Sequence, residues 1–122
     1  MIAIIFEVEP HPDRKAEYLG LAADLKPHLE TMDGFISIER FESLVTPGKI
    51  LSLSFWRDEA ALTAWRNLEP HRQAQAKGRG GIFQGYRLRI ASVIRDYGME
   101  ERAEAPDDSR GFHDAGGAGE VL

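Results

Sequence analysis

Six segments with regular apolar spacing follow one another along this chain, and their order limits the fold more than any other feature. Stretches in which apolar side chains alternate, and stretches in which they recur every three or four residues, come in the order strand, helix, strand, strand, helix, strand. The predicted elements are residues 2–9, 12–32, 35–45, 49–57, 58–77 and 82–97. Two β-α-β halves of this kind predict an α+β domain, ferredoxin-like, with a four-stranded antiparallel sheet.

Local signals refine the boundaries of these elements. Pro27 is expected to kink the first helix or to split off its last turn. The tripeptide Thr-Pro-Gly at residues 46–48 separates the second and third strands and is typical of a type II turn. Asp58 is a good N-cap for the second helix, which Pro70 should break, and a mobile glycine loop is expected at residues 78–81.

The apolar surface of the predicted sheet exceeds what one layer of helices can cover. Ile2, Phe6, Phe55 and Trp56 contribute to this surface, together with the unusually long last strand at residues 82–97. A large exposed apolar surface marks an interface. We therefore predict a homodimer in which two sheets pack face to face and each long strand reaches the partner.

The excess of acidic over basic residues is concentrated at the C-terminal end of the chain. Residues 1–97 carry 13 basic and 13 acidic side chains, whereas residues 98–122 carry 2 basic and 7 acidic ones, which accounts for the net charge of -5. The terminal stretch is rich in Gly, Ala, Asp and Glu, so burial cannot offset its ordering entropy. We predict a folded domain at residues 1–98 and an acidic flexible C-terminal tail at residues 99–122.

Composition also excludes several classes of protein. The chain has no Cys, which rules out disulfides, thiol catalysis and Cys-ligated metal sites. The balanced charge of residues 1–97 offers no basic stripe to a nucleic acid. No apolar run approaches the roughly 18 residues of a membrane helix, and the N-terminus lacks the basic region of a signal peptide. We expect a cytoplasmic protein that binds neither nucleic acid nor membrane.

Several stretches carry a resemblance to a known family. They are DGFISIERFES after the first helix, LSLSFWRDEAALTAW across the third strand and second helix, His71 soon afterwards, and YRLRIASVIRDYG at the end. Residues 1–98 are similar in this way to the antibiotic biosynthesis monooxygenase (ABM) family, small cofactor-independent oxygenases of the dimeric α+β barrel superfamily. The resemblance implies a homodimer that oxidises a phenolic, hydroquinone or polyketide-like aromatic with O₂.

The resemblance also suggests which residues carry the chemistry. His71 is the candidate proton acceptor, although a histidine beside a helix break can equally be a cap or a surface residue. Candidate substrate-binding residues are Trp56, Trp65, Arg79, Phe83 and Tyr86. The tryptophans can instead be core residues, and Arg79 can be a solvated loop charge that holds no anionic substrate.

No metal or cofactor is expected. The four histidines are scattered, and none forms a pair at helical spacing. Haem is disfavoured because the haem-degrading relatives combine a strand-one Asn with a helical Trp and a later His. Here the first strand has no Asn, and His71 lies only six residues after Trp65.

Two other functions remain open on the same fold. One is a non-catalytic small-molecule-binding or stress-response homodimer. The other is an isomerase or decarboxylase of the superfamily, which would turn over substrate without consuming O₂.

Overall fold

The computed structural model describes residues 1–113 and divides the chain into two compact units, residues 1–92 and residues 93–122. The first unit contains the predicted elements in the predicted order. They are β1 (Ile2–Pro10), α1 (Lys15–Glu30), β2 (Phe35–Glu42), β3 (Ile50–Trp56), α2 (Glu59–Arg66), α3 (Glu69–Lys77) and β4 (Phe83–Ser92).

The strands form one four-stranded sheet in the order β2-β3-β1-β4, and every neighbouring pair is antiparallel. This is the ferredoxin-like arrangement, so the predicted fold class is confirmed. The register places Ile4 of β1 between Ser54 of β3 and Ile90 of β4. Side chains in register share a face, so these three residues point to the same side of the sheet.

Two local signals are confirmed at atomic detail. Gly48 has φ 81°, and the N–H of Lys49 donates to the carbonyl of Thr46 at 3.2 Å, which makes the predicted type II turn. The carboxylate of Asp58 accepts the N–H of Ala61 at 2.9 Å, as the predicted N-cap of α2.

The helix boundaries differ from the sequence pattern in two places. Pro27 lies within α1, which continues past it to Glu30, so the expected split does not occur. The second predicted helix is broken before Pro70, since α2 ends at Arg66 and Pro70 lies in the first turn of α3. A first-turn proline loses no intrahelical hydrogen bond, because the first N–H groups of a helix have no partner there.

The regions on either side of the last strand also differ from expectation. The glycine stretch forms a π-helical turn at Gly78–Ile82 rather than an irregular loop. β4 ends at Ser92, five residues before the predicted end of the strand at residue 97. The predicted strand was therefore too long, because apolar alternation continues past the last residue that pairs with β1.

The second unit contains a short helix, α4 (Asp107–His113), which the sequence pattern did not predict. Within this unit, the guanidinium of Arg95 donates to the carbonyl of Glu104 at 3.1 Å. Residues 114–122 of the predicted tail lie outside the described residues. In the described part of the chain, no helix combines the length and apolar character needed to cross a membrane.

The core of the first unit consists of two clusters under the helices. One is built around Trp56, Leu62 and Trp65, and the other around Val8, Tyr18, Ile50 and Ile82. Three residues assigned to the excess apolar surface, Ile2, Phe6 and Trp56, pack into these clusters, so that part of the argument for an interface was wrong.

The opposite face of the sheet nevertheless carries apolar residues. Register and alternation place Ile5, Leu51, Leu53 and Phe55 there, each of them partly exposed. Near one end of this face, Glu7 forms ion pairs with Lys49 at 3.3 Å and with Arg89 at 3.4 Å.

Candidate functional site

A cavity of about 490 Å³ separates the sheet from the helices. Its lining draws on both core clusters, with Leu62 and Trp65 from one and Tyr18 and Phe83 from the other. The sheet contributes one wall, and α1, α2 and α3 contribute the facing wall. Of the predicted site residues, the cavity brings together His71, Trp65, Arg79, Phe83 and Tyr86.

His71 lies in the first turn of α3, and its ring is held from two sides. The imidazole packs on the indole of Trp65, with ring centroids 4.8 Å apart and planes inclined by 32°. Its Nδ1 lies 3.5 Å from the carbonyl oxygen of Arg66. A carbonyl can only accept, so this contact favours the tautomer that carries the proton on Nδ1 and has Nε2 as the acceptor of the neutral ring.

The surroundings of His71 favour this neutral form. Burial lowers the pKa of His71 below its ordinary value, and the positive charges of Arg72 and Arg66 lower it further. The contact with the Arg66 carbonyl acts in the opposite direction but is smaller than the effect of burial. A neutral imidazole at the wall of an apolar cavity can accept a proton from a bound molecule at neutral pH.

Trp56 is not among the residues that line the cavity and lies in the core, which is the alternative position expected for a tryptophan. It is 1% exposed and lies behind the wall, between Phe35 at 5.4 Å and Trp65 at 6.4 Å between ring centroids. It points inward because it lies on the helix-facing side of β3, at the centre of the first core cluster. Its indole N–H donates to Ser54 at 3.1 Å.

Aromatic rings of the second core cluster also line the cavity. Phe83 packs edge-on against Tyr18 at 5.6 Å and Phe6 at 6.1 Å, and Tyr86 lies 5.7 Å from Phe6. Edge-to-face contacts at these distances stabilise the arrangement beyond simple burial. The result is an aromatic wall suited to a flat apolar molecule.

The charged residues around the cavity all have one sign. Five cationic side chains line it, and among residues 1–113 no carboxylate does. The five are Lys26, Arg40, Arg66, Arg72 and Arg79. The four arginines form no ion pair with any carboxylate of the described residues, and Arg79 instead donates to the hydroxyl of Tyr86 at 3.1 Å. Such a cavity attracts an anionic ligand.

Sequence reasoning missed several of the lining residues. Ser52 and Ser54 face the cavity from β3 and are only 8% and 6% exposed. The available signal was two serines alternating with Ile50 and Trp56 on the buried side of a strand, where an apolar residue is the rule. Arg40, Arg66 and Arg72 had no comparable signal, because surface arginines have the same local pattern.

No metal centre is visible among the side chains that the structure describes, those of residues 1–112. Within that range no three His, Cys, Asp or Glu residues are grouped closely enough to hold an ion.

Comparisons with known proteins add family information to this geometry. The sequence model of a family described as antibiotic biosynthesis monooxygenase matches residues 1–77. A protein of Pyricularia oryzae named jasmonate monooxygenase ABM is 50% identical over 109 residues, which are 88% of this chain and 51% of the relative. The uncharacterised protein YqjZ of Bacillus subtilis is 29% identical over 83 residues, which are 68% of this chain and 65% of that protein.

The chain therefore spans only about half to two thirds of the length of these relatives. Among solved structures, that of Rv0793 from Mycobacterium tuberculosis superposes with a TM-score of 0.71 at 18% identity. The superposition covers 80% of this chain and 98% of that one. At this identity the likeness concerns the fold.

Proposed function

The chain belongs to the antibiotic biosynthesis monooxygenase family, and from this membership we propose that it is an oxidoreductase that oxygenates a small apolar molecule with O₂. The observation that carries the proposal is the neutral, partly buried His71, stacked on Trp65 at the wall of the cavity. We propose that no bound cofactor takes part, because the substrate itself supplies the electrons.

The proposed substrate is a phenolic, hydroquinone or polyketide-like aromatic. Nε2 of His71 takes a proton from the substrate, and the resulting anion passes one electron to O₂. The substrate radical and superoxide then combine to a peroxide anion, which takes the proton back from His71. The resulting hydroperoxide loses water and leaves a quinone. A phenol and O₂ thus give a quinone and H₂O, with one oxygen atom of O₂ in each product.

The residues that line the cavity support these reaction steps in two ways, by excluding water and by holding the substrate in position. The aromatic wall of Phe83, Tyr86 and Tyr18 holds the flat ring and keeps water from the radical pair. The uncompensated arginines stabilise the anion that precedes electron transfer, because positive charge in a site of low dielectric favours its formation.

An apolar carboxylic acid is the second candidate substrate. The positive lining of the cavity favours it, and the similar Pyricularia oryzae protein is named for jasmonate. Arg79 is the proposed partner of the carboxylate, since among the described residues its guanidinium has only the neutral hydroxyl of Tyr86 as a hydrogen-bond partner. Such a substrate would lie with its charge beside Arg79 and its apolar part between the sheet and α1.

The proposed active form is a homodimer. The partly exposed apolar face with Ile5, Leu51, Leu53 and Phe55 supports this proposal, because monomeric proteins rarely leave such a patch open. Face-to-face packing of two sheets would bury the patch at a spacing of about 10 Å.

The test is oxygen uptake by metal-free protein with a panel of hydroquinones, phenols and apolar carboxylic acids. The proposal predicts substrate-dependent O₂ consumption, which falls in His71→Ala but not in Lys15→Gln, a change outside both the cavity and the proposed dimer face. Ligand-induced thermal stabilisation without O₂ consumption would instead indicate a binding protein. Substrate turnover without O₂ consumption would indicate an isomerase or decarboxylase.

A further inference from the structure

The hydroxyl of Ser54 accepts one hydrogen bond, but the described residues provide no acceptor for its own proton. Its oxygen accepts the indole N–H of Trp56 at 3.1 Å, and both side chains are almost fully buried. A hydroxyl has one proton to donate and two lone pairs. Because the indole occupies one lone pair, the Ser54 proton is directed away from Trp56, and Ser54 lines the cavity.

Ser52 lies two residues earlier on the same face of β3 and has no side-chain partner among the described residues. It is 8% exposed, and no enclosed side-chain nitrogen or oxygen of the described part is left without a partner. The Ser52 hydroxyl must therefore open onto free space. That space is the cavity, which Ser52 also lines.

The two hydroxyls lie in a wall that offers their protons no acceptor. Across the strands, Ser52 lies between Phe6 and Arg40, and Ser54 lies between Ile4 and Ile38. A guanidinium only donates hydrogen bonds, so Arg40 cannot accept the proton of Ser52. Burying a hydroxyl without a hydrogen bond costs about 1–3 kcal/mol. An apolar residue would serve packing better at both positions, so two serines here favour a ligand that brings its own acceptors.

We propose that Ser52 and Ser54 form an oxygen-binding subsite in the cavity, and that Trp56 is a positioning residue that directs the hydroxyl of Ser54. This inference rests on the proposed function and specifies its substrate. Residues two apart on a strand are separated by about 6–7 Å. A para-hydroquinone or para-quinone can therefore place one oxygen near each serine.

In the proposed reaction the subsite and His71 have complementary roles. His71 accepts the proton of the substrate, while Ser54 donates to an oxygen on which negative charge develops. The four side chains Ser54, Trp56, Trp65 and His71 form one continuous series of contacts behind and along the wall. The donor Ser54 and the proton acceptor His71 are thus both held in place by the pair Trp56 and Trp65.

The test compares two ligands of similar shape, 1,4-naphthoquinone and naphthalene, of which only the first carries oxygen. Dissociation constants come from NMR titration of ¹⁵N-labelled full-length protein. The chain has no Cys, so no thiol can add to the quinone and distort the titration. The readout is the ratio of the two constants, since loss of wall packing changes both of them in the same direction.

The subsite predicts that the preference for naphthoquinone falls by about 5- to 10-fold in Ser52→Ala and in Ser54→Ala, with naphthalene binding retained. Trp56→Phe should reduce the same preference in the wild-type background but have no further effect in Ser54→Ala. Leu88→Ala is the control, because Leu88 lines the cavity without a polar group and should weaken both ligands alike.

An unchanged ratio in both serine variants would overturn the subsite. Additive losses in Trp56→Phe and Ser54→Ala would overturn the positioning role of Trp56. The measurement needs no turnover, because naphthoquinone has no phenolic proton to lose. A wild-type protein that binds naphthoquinone selectively, but consumes no O₂ with the panel of hydroquinones and phenols, would contradict only the proposed oxygenase function.

Discussion

The imidazole of His71 lies against the indole of Trp65, 4.8 Å from centroid to centroid, although a helix break separates the two residues along the chain. This contact sets the plane of the ring, and the approach of Nδ1 to the Arg66 carbonyl sets the direction of Nε2. The stacked indole also removes water from one side of the imidazole, which keeps the ring neutral.

The pH dependence of the reaction should report the environment of His71. A base is active when it is unprotonated, so kcat/KM should rise with pH through the pKa of His71 and level off above it. Because burial and the neighbouring arginines lower that pKa, the rising limb should lie below the ordinary histidine range near 6.5. Arg72→Gln removes one positive neighbour and should move the limb to higher pH. A rising limb that stays unchanged in Arg72→Gln, or that moves equally in the control Lys15→Gln, would contradict this assignment.

Gly78 should be required for the aromatic wall. A Cβ at this position would lie 2.4 Å from the ring of Phe83, which is held between Tyr18 and Phe6. Gly78→Ala should lower the free energy of unfolding by about 1–3 kcal/mol, as measured by urea denaturation. Gly80→Ala is the matched control, because nothing lies within 4 Å of its added Cβ, and it should not destabilise the protein. Equal effects of the two changes would contradict the assigned role of Gly78.

Arg79 should determine affinity for anionic substrates. Arg79→Gln removes the charge while keeping a donor for Tyr86, so KM for an apolar carboxylic acid should rise about 10-fold at similar kcat. The KM of an uncharged hydroquinone should change much less. If the KM values of both substrates changed equally, Arg79 would be a structural residue of the wall and not a charge partner.

The apolar sheet face should hold the homodimer together, independently of the acidic tail. Leu53→Glu places a charge on that face and should give a monomer in sedimentation velocity. Leu19→Glu, at an exposed apolar position on α1, is the control and should remain dimeric. Deletion of residues 100–122 should also leave a dimer, since the folded domain is predicted to end at residue 98. A monomer after this deletion would show that the tail belongs to the interface.

The fold followed from the sequence because local patterns and turn chemistry agree with the tertiary structure. Alternation in β1 and β3 and the turn at Gly48 are set by nearest neighbours along the chain, so they can be identified without coordinates. The end of β4 could not be predicted, because pairing with β1 stops at Ser92 while the apolar alternation continues.

The site was only partly predictable for a related reason. His71 and Arg79 have distinctive neighbours, a proline break and a glycine turn. Trp56 and Ser54 exchange the roles expected from their residue types, since the aromatic ring is buried behind the wall and the small hydroxyl faces the cavity. That outcome depends on which side of β3 faces the helices, and therefore on the packing of the whole sheet.

The most direct measurement of the central claim is oxygen-isotope labelling of the product with wild-type protein and His71→Ala. With ¹⁸O₂ and a phenolic or hydroquinone substrate, mass spectrometry of early-quenched product should show one ¹⁸O atom in each new quinone. The rate of labelled product should fall by about 10²- to 10⁴-fold in His71→Ala. Unlabelled product, or labelled product formed equally fast by His71→Ala, would contradict a monooxygenase in which His71 accepts the proton.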